Sequence, residues 1–186
     1  MTSVLMLTPP APYQLRPLQL ADLPELRAIE RLSLPTPTKA GTYEYELTGN
    51  DLAHYQALLV NGRSLIGYSG YWLIADEAHI SIIAIHPNWR QRGLGELLLL
   101  NMLSLTKAQL ATQATLEVRA RNTAAQALYK KYNFIVVGER SRYYRDGESA
   151  LIMTAELPLP DLDQRCRALF TRLQSEGSSP QACISS

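Results

Sequence analysis

The sequence has no surplus of charge. Its 18 Lys and Arg residues against 17 Asp and Glu leave a net charge of +1 over 186 residues. No global field draws such a chain to nucleic acid or to an acidic membrane surface. No apolar run approaches the ~20 residues that a bilayer-spanning helix needs. Cysteine is scarce: Cys166 and Cys183 are the only two, both late in the chain and both expected outside the core. They make no disulfide framework, and their number and spacing make no metal cluster. The first twelve residues, MTSVLMLTPPAP, hold an apolar run but no basic stretch, and prolines follow at once, so a signal peptide is not expected. Internal repeats are absent as well. These absences point to a soluble, cytoplasmic protein with no metal, no direct nucleic-acid partner and no membrane partner, either a monomer or a weak homodimer.

What is present fits one compact domain. Hydrophobic residues make up 46% and charged residues 19%, enough to fill a core at this length. Residues 1–12 read as a Pro-stiffened arm, 13–157 as the domain, and 158–186 as an amphipathic helix with a tail. A first strand is expected over 13–16. A helix follows, with Asp22 as its cap and Pro24 in its first turn, where the missing N–H costs little. Its apolar face carries one exception, Glu30. A loop over 36–41 and a short helix over 42–47 come next. Strands are expected over 53–60, 65–74 and 79–85, the first two joined by the hairpin signal Asn61-Gly62. A Leu-rich helix over 93–110, apolar nearly all round, must be buried on more than one side. A strand over 115–118, a helix over 123–132 ended by a left-handed Asn133, and a hairpin of strands 134–144 and 149–156 complete the domain. Strand, helix, strand around the Leu-rich helix makes a right-handed βαβ unit, so those two strands should be parallel. The class is therefore α/β in the mixed α+β sense: a mostly antiparallel sheet with one parallel pair, flanked by helices. In the last segment Leu162, Cys166, Leu169 and Leu173 form a stripe at helical spacing, read first as a helix docked on its own domain and second as a partner helix. From Ser175 onward, Ser, Gly and Pro make disorder the default.

The stretch 80–105 carries the first chemistry. A β-branched strand, ISIIAI, runs through His86-Pro87-Asn88-Trp89 into Arg90-Gln91-Arg92-Gly93-Leu94-Gly95 and then the helix. Free N–H groups and the macrodipole make such a helix start an anion site. Gly93 and Gly95 leave the backbone bare, where an ordinary turn would gain from side chains. No Gly-Lys-Ser/Thr follows, and the turn is not G-x-G-x-x-G. Should the parallel strands diverge, Ile83-Ala84-Ile85 would offer unpaired backbone groups to an extended amide ligand. A pyrophosphate with an amide-bearing arm, as in coenzyme A, suits that combination weakly on physical grounds alone.

Glu117 lies on the strand face opposite Leu116 and Val118. It is either a surface carboxylate paired with Arg119 or a proton acceptor in the crevice. Asn122 and Tyr129, two helical turns apart, share a face. The first is either a cap or a ligand contact, the second either a packed ring or a proton donor. Neither a Cys nor a Ser stands out as an activated nucleophile.

These residues resemble the GNAT superfamily of acetyl-CoA-dependent N-acetyltransferases, whose turn reads Q/R-x-x-G-x-G/A. The block L-E-V-R-A-R-N-T-A-A-Q-A-L-Y-K-K-Y-N-F, with Arg142-Tyr143-Tyr144 and Ala150-Leu151-Ile152-Met153, is similar to the ribosomal-protein alanine N-acetyltransferase (RimI) branch. The resemblance covers roughly residues 13–157. It implies the GNAT fold with acetyl-CoA as cosubstrate, wedged between splayed strands. The backbones of Ile83, Ala84 and Ile85 would meet the pantetheine arm. Gln91, Arg92, Gly93, Leu94, Gly95 and Glu96 would cradle the pyrophosphate, and Asn122 would touch the cofactor. Glu117 would accept the proton and Tyr129 would donate one, in direct transfer to the N-terminal α-amine of a protein or peptide lined by Tyr143 and Tyr144. The segment 34–41 departs from that branch: it lacks a Phe-Pro-Trp-like run and is longer. That departure keeps a small-molecule amine in play as the acceptor, with a non-catalytic CoA-binding adaptor as a further alternative.

Overall fold

The structure, a computed structural model, describes residues 6–177. Residues 1–5 of the expected arm and residues 178–186 of the expected tail, Cys183 included, lie outside the described residues. Seven strands form one sheet in the order β1-β2-β3-β4-β5-β7-β6. They are β1 (Tyr13–Pro17), β2 (Ala53–Val60), β3 (Ser64–Ile74), β4 (Glu77–Ile85), β5 (Gln113–Arg119), β6 (Ile135–Arg140) and β7 (Ala150–Glu156). The helices are α1 (Leu23–Ser33), α2 (Thr42–Thr48), α3 (Leu94–Ala108), α4 (Thr123–Lys131) and α5 (Leu162–Gly177). All pairings are antiparallel except β4 with β5. The mixed sheet expected from the element order is therefore the one observed, with the βαβ unit at its centre.

Local chemistry explains the joints. Asn61 (φ 52°) and Gly62 (φ 65°) are both left-handed, and the Arg63 N–H donates to the Val60 carbonyl at 3.2 Å. Two left-handed residues between antiparallel strands match the strands' own twist. The Asn122 side chain accepts from the Ala125 N–H and so caps α4, and Asn133 ends that helix at φ 63°. Asp22 sits at the start of α1 but does not cap it with its side chain. Its carboxylate is taken by a two-pronged pair with Arg16 at 2.7 Å and by the Gln19 N–H at 2.8 Å, a stronger arrangement than a single cap bond. The Arg16 pairing outweighs burial, which acts the other way, and holds the Asp22 carboxyl below its usual range.

Two cores flank the sheet. One packs α3 and α5 against it, with Leu97, Leu98, Leu99 and Leu100 fully buried. The other packs α1 and Tyr43 of α2 on β2, β3 and β4. Asn101, buried in the middle of α3, accepts the Leu7 N–H at 3.0 Å, so the described part of the arm is tied to the domain. The terminal stripe is used internally: Leu162, Cys166, Leu169 and Leu173 are all buried in the first core. Cys166 thus lies inside the core and not outside it, because the helical face that carries it is the docked one.

The final hairpin is shorter than its apolar pattern implies. β6 stops at Arg140, Arg142 turns left-handed at φ 54°, and residues 141–149 form a closed loop. Arg119 holds that loop by bonds of 2.7 Å to both Asp146 and Glu148. The tail helix also runs two residues beyond Ser175 before the described residues end.

Candidate active site

The parallel pair is joined for four residues only. Glu77 to Ile80 pair with Gln113 to Leu116. Beyond that point β4 stays with β3 and β5 stays with β7. That pairing holds the two strands at their N-terminal ends and leaves the C-terminal ends free to part. This is the crevice beyond the carboxyl ends of parallel strands where ligands bind in open sheets.

A cavity of about 600 Å³ fills the gap. Ile83 lines it from β4, Glu117 from β5, and Asn122 and Tyr129 from α4. Tyr143 and Tyr144 of the β6–β7 loop close one side, and Ser33, Pro35 and Thr38 around the α1–α2 loop close another. Six of the residues singled out in the sequence therefore share one space. Ala84 and Ile85 are buried neighbours on β4, and the turn 91–96 stands apart from this cavity, at the start of α3.

That turn has the features of an anion cradle. Gln91 (φ 61°) and Gly93 (φ 72°) are both left-handed. The first intrahelical bond runs from the Leu97 N–H to the Gly93 carbonyl at 2.9 Å, so the N–H groups of Leu94, Gly95 and Glu96 precede the helical ladder. The arginines play other parts. The Arg90 Nε donates to the Ile85 carbonyl at 3.2 Å, tying the turn to the strand end, and the Arg92 guanidinium lies 4.8 Å from the centre of the Trp89 ring. The Glu96 N–H is free of the helical ladder. Its side chain points away into a set of donors: Lys131 Nζ at 2.5 Å, the Tyr132 hydroxyl, and Arg172 Nη2 at 2.5 Å.

Glu117 does not pair with Arg119. One oxygen faces His79 Nε2 at 3.0 Å and the other faces Arg140 Nη1 at 3.4 Å. His79 is itself stacked on Trp72, with centroids 5.7 Å apart and planes within 13°, and the Trp72 Nε1–H donates to Glu46 at 2.7 Å. The carboxylate is thus oriented from two sides and still reaches the cavity. His79 and Arg140 escaped the sequence reading, since the register of a parallel pair and the path of a distant hairpin leave no local pattern.

Tyr129 packs against Phe134 at 5.8 Å. Burial, and secondarily nearby Tyr144, push its hydroxyl up to about 12, so it keeps its proton throughout the neutral range. The α1–α2 loop is held from below by buried Glu30, the residue that broke the apolar face of α1. Its carboxylate accepts from the Thr38 N–H and the Tyr43 hydroxyl, each at 3.0 Å. The exception in the pattern is the anchor of a cavity wall.

Other proteins are similar to this chain in sequence and fold. The profile of the acetyltransferase (GNAT) family matches residues 18–134. A Bacillus subtilis (strain 168) protein assigned as a ribosomal protein bS18-alanine N-acetyltransferase is 40% identical over 139 residues, 74% of this chain and 91% of that one. An N-alpha-acetyltransferase of Sulfolobus acidocaldarius is 35% identical over 156 residues, 78% of this chain and 93% of that one. The crystal structure of the ribosomal-protein-S18-alanine N-acetyltransferase from Escherichia coli superposes with a TM-score of 0.72 at 29% identity, over 79% of this chain and 95% of that one. By sequence as well as by fold, the chain belongs to the GNAT family and is an acetyl-CoA-dependent acetyltransferase closely related to the bS18-alanine N-acetyltransferase branch.

Proposed function

We propose that this enzyme acetylates the N-terminal α-amine of a protein or peptide, as its bS18-alanine relatives are named for doing, and that Glu117 and Tyr129 are its base and acid. The observation that carries the reading is the shared cavity, with a carboxylate on one wall, a protonated phenol on the other and two tyrosines at the side. The cosubstrate supplies an acetyl thioester. The amine nitrogen forms the amide bond as the thioester C–S bond breaks, and the chain's part is to bind the cosubstrate, orient the amine, take the amine's proton and stabilise the departing thiolate.

A free α-amine has a pKa of ~8, so a weak base suffices to take its proton. Glu117, held by His79 and Arg140, accepts that proton directly or through one water. His79, 3.0 Å behind it, offers the proton a way onward. Tyr129 faces the departing sulfur. The thiolate of an ordinary thiol, pKa ~8.5, is a weaker base than the phenolate of Tyr129, whose hydroxyl is pushed up to about 12, so outright transfer from Tyr129 is uphill. Its hydroxyl therefore works mainly by donating a hydrogen bond to the developing thiolate, where a preorganised donor counts most. Asn122, Ile83 and the turn 91–96 bind the cosubstrate, and Tyr143 and Tyr144 flank the acceptor. The residues fit the group: the parted strands give an extended arm backbone partners, and the bare helix start accepts a diphosphate.

The adaptor alternative loses its instrument, because the stripe of α5 is buried in the chain's own core. The small-amine alternative is tested together with the proposal. A mixed library of peptides with free Ala, Ser, Met and other N-termini is incubated with acetyl-CoA and read by mass spectrometry, beside free amino acids and polyamines. Peptide α-acetylation with little turnover of the small amines is expected. Inert peptides with a small amine turned over would overturn the reading.

A further inference from the structure

The family profile ends at residue 134, before α5 begins, yet α5 reaches the cradle at the start of α3. Arg172 of α5 places Nη2 2.5 Å from Glu96 Oε2. The same nitrogen lies 2.8 Å from where a Cβ on Gly93 would sit, and Leu169 Cδ1 lies 3.3 Å from that point. Gly93 is therefore bare for two reasons: its left-handed backbone and the guanidinium packed against it. Arg165 ties the same helix to α4 through the Lys131 carbonyl at 2.8 Å.

Glu96 explains why such a contact is needed. It is an anion in the first turn of the helix whose free N–H groups would face a diphosphate. Alone, it would repel that ligand. Lys131 and Arg172 offset its charge and leave one positive charge over, while the Tyr132 hydroxyl takes a further lone pair. Burial of Glu96 works against its ionised form, but these hydrogen bonds outweigh burial and hold its carboxyl below the usual range.

We propose that Arg172 is a positioning residue for donor binding: it neutralises Glu96 and fixes the Gly93 turn, which makes α5 part of the cosubstrate half of the site. The proposal rests on the reading of 91–96 as the diphosphate cradle. The experiment is calorimetric titration of the full chain with CoA and with pantetheine, which lacks the diphosphate. In the parent, CoA should bind at least about a hundredfold more tightly, pantetheine binding too weak to detect included. Equal affinities would overturn the cradle reading itself. With that contrast in hand, Arg172→Ala should weaken CoA binding about five- to tenfold, Arg172→Lys less, and Arg172→Ala with Glu96→Gln should return close to the parent, because Lys131 alone then leaves the same one positive charge over. A merely structural helix contact predicts the opposite for the double variant, since it loses one more bond. Parent-like CoA affinity in Arg172→Ala, or a double variant as weak as the single one, would overturn the role of Arg172 while leaving the cradle standing.

Discussion

The two faces of the sheet are built on different rules. On the α3 side, the inward residues are aliphatic with a few aromatics, Leu above all, and α3 is buried almost all round. On the other side, α1 and α2 cover β2 to β4 and then stop. The remaining strands present Thr115, Glu117, Arg119 and Thr154. The Thr115 and Thr154 hydroxyls lie 3.4 Å apart across β5 and β7, Arg119 carries two ion pairs, and Glu117 faces Arg140 and the His79 ring. One face is stabilised by apolar area removed from water. The other keeps a carboxylate and an arginine where a core would put Leu, and the catalytic assignment depends on that exchange.

The sharpest way to break this comparison is to remove chemistry from the polar face without changing shape. Glu117→Gln with Tyr129→Phe should lower acetyl transfer by about a hundredfold or more, since a general base contributes roughly 10²–10⁴ and a preorganised donor to the developing thiolate adds to it. Thermal stability and CoA affinity should stay near the parent's. Thiol release measured with acetyl-CoA and an accepted peptide decides the matter, and unchanged turnover would sink the mechanism. The complementary test concerns stability. Leu98→Ala, at a fully buried position, should cost about 2–5 kcal/mol. Thr115→Val on the open face should change stability by less than about 1 kcal/mol. Chemical denaturation of the two variants compares them directly, and similar losses would mean that the stretch around Thr115 is packed like a core.

Legibility in the sequence follows the same division. The α3 side was readable because its signals are local: a Leu-rich run, a β-branched strand before it, two glycines at the turn. The left-handed Asn133, the Asn122 cap and the Asn61-Gly62 turn are local in the same sense. The stripe of α5 was also visible, although placing Cys166 outside the core overlooked that its own helical register buries it. The polar face was readable only in part. Glu117, Tyr129, Tyr143 and Tyr144 stand out through motif resemblance, but their partners come from afar. His79 meets Glu117 only because four residues of parallel pairing set the register, and Arg140 only because β6 lies beyond β7 at the sheet edge. Neither relation leaves a periodicity. Glu30 shows the limit most plainly: in sequence it is a blemish on an amphipathic helix, and in the fold it anchors the loop that lines the cavity.

His79 gives a finer test of the polar face. If it serves Glu117 as an orienting partner and proton outlet, His79→Gln should lower kcat about three- to tenfold and leave the KM for acetyl-CoA unchanged. A variant that keeps the parent's kcat would reduce His79 to packing against Trp72.

The smallest effect concerns the other face and its single buried carboxylate at the helix start. The Glu96 carboxyl is held below its ordinary 4.5 by Lys131, Tyr132 and Arg172 against the opposing pull of burial. A carboxyl that is more acidic in the folded chain than in the unfolded chain releases its proton more readily when folded. The stability it contributes is therefore complete above about pH 5 and is lost as pH falls through 4.5 toward the folded value. Because Lys131 and Arg172 are about half exposed, with side-chain exposures of 51% and 42%, solvent screens the pairs, and the amount at stake is about 1 kcal/mol or less. Melting temperatures of the parent and Glu96→Gln across pH 3 to 7 should run apart at neutral pH, with the variant lower, and converge on the acid side. Parallel curves would mean that the carboxylate is not ionically engaged at the start of α3. The α3 face would then be apolar packing alone, and the contrast between the two faces would be complete.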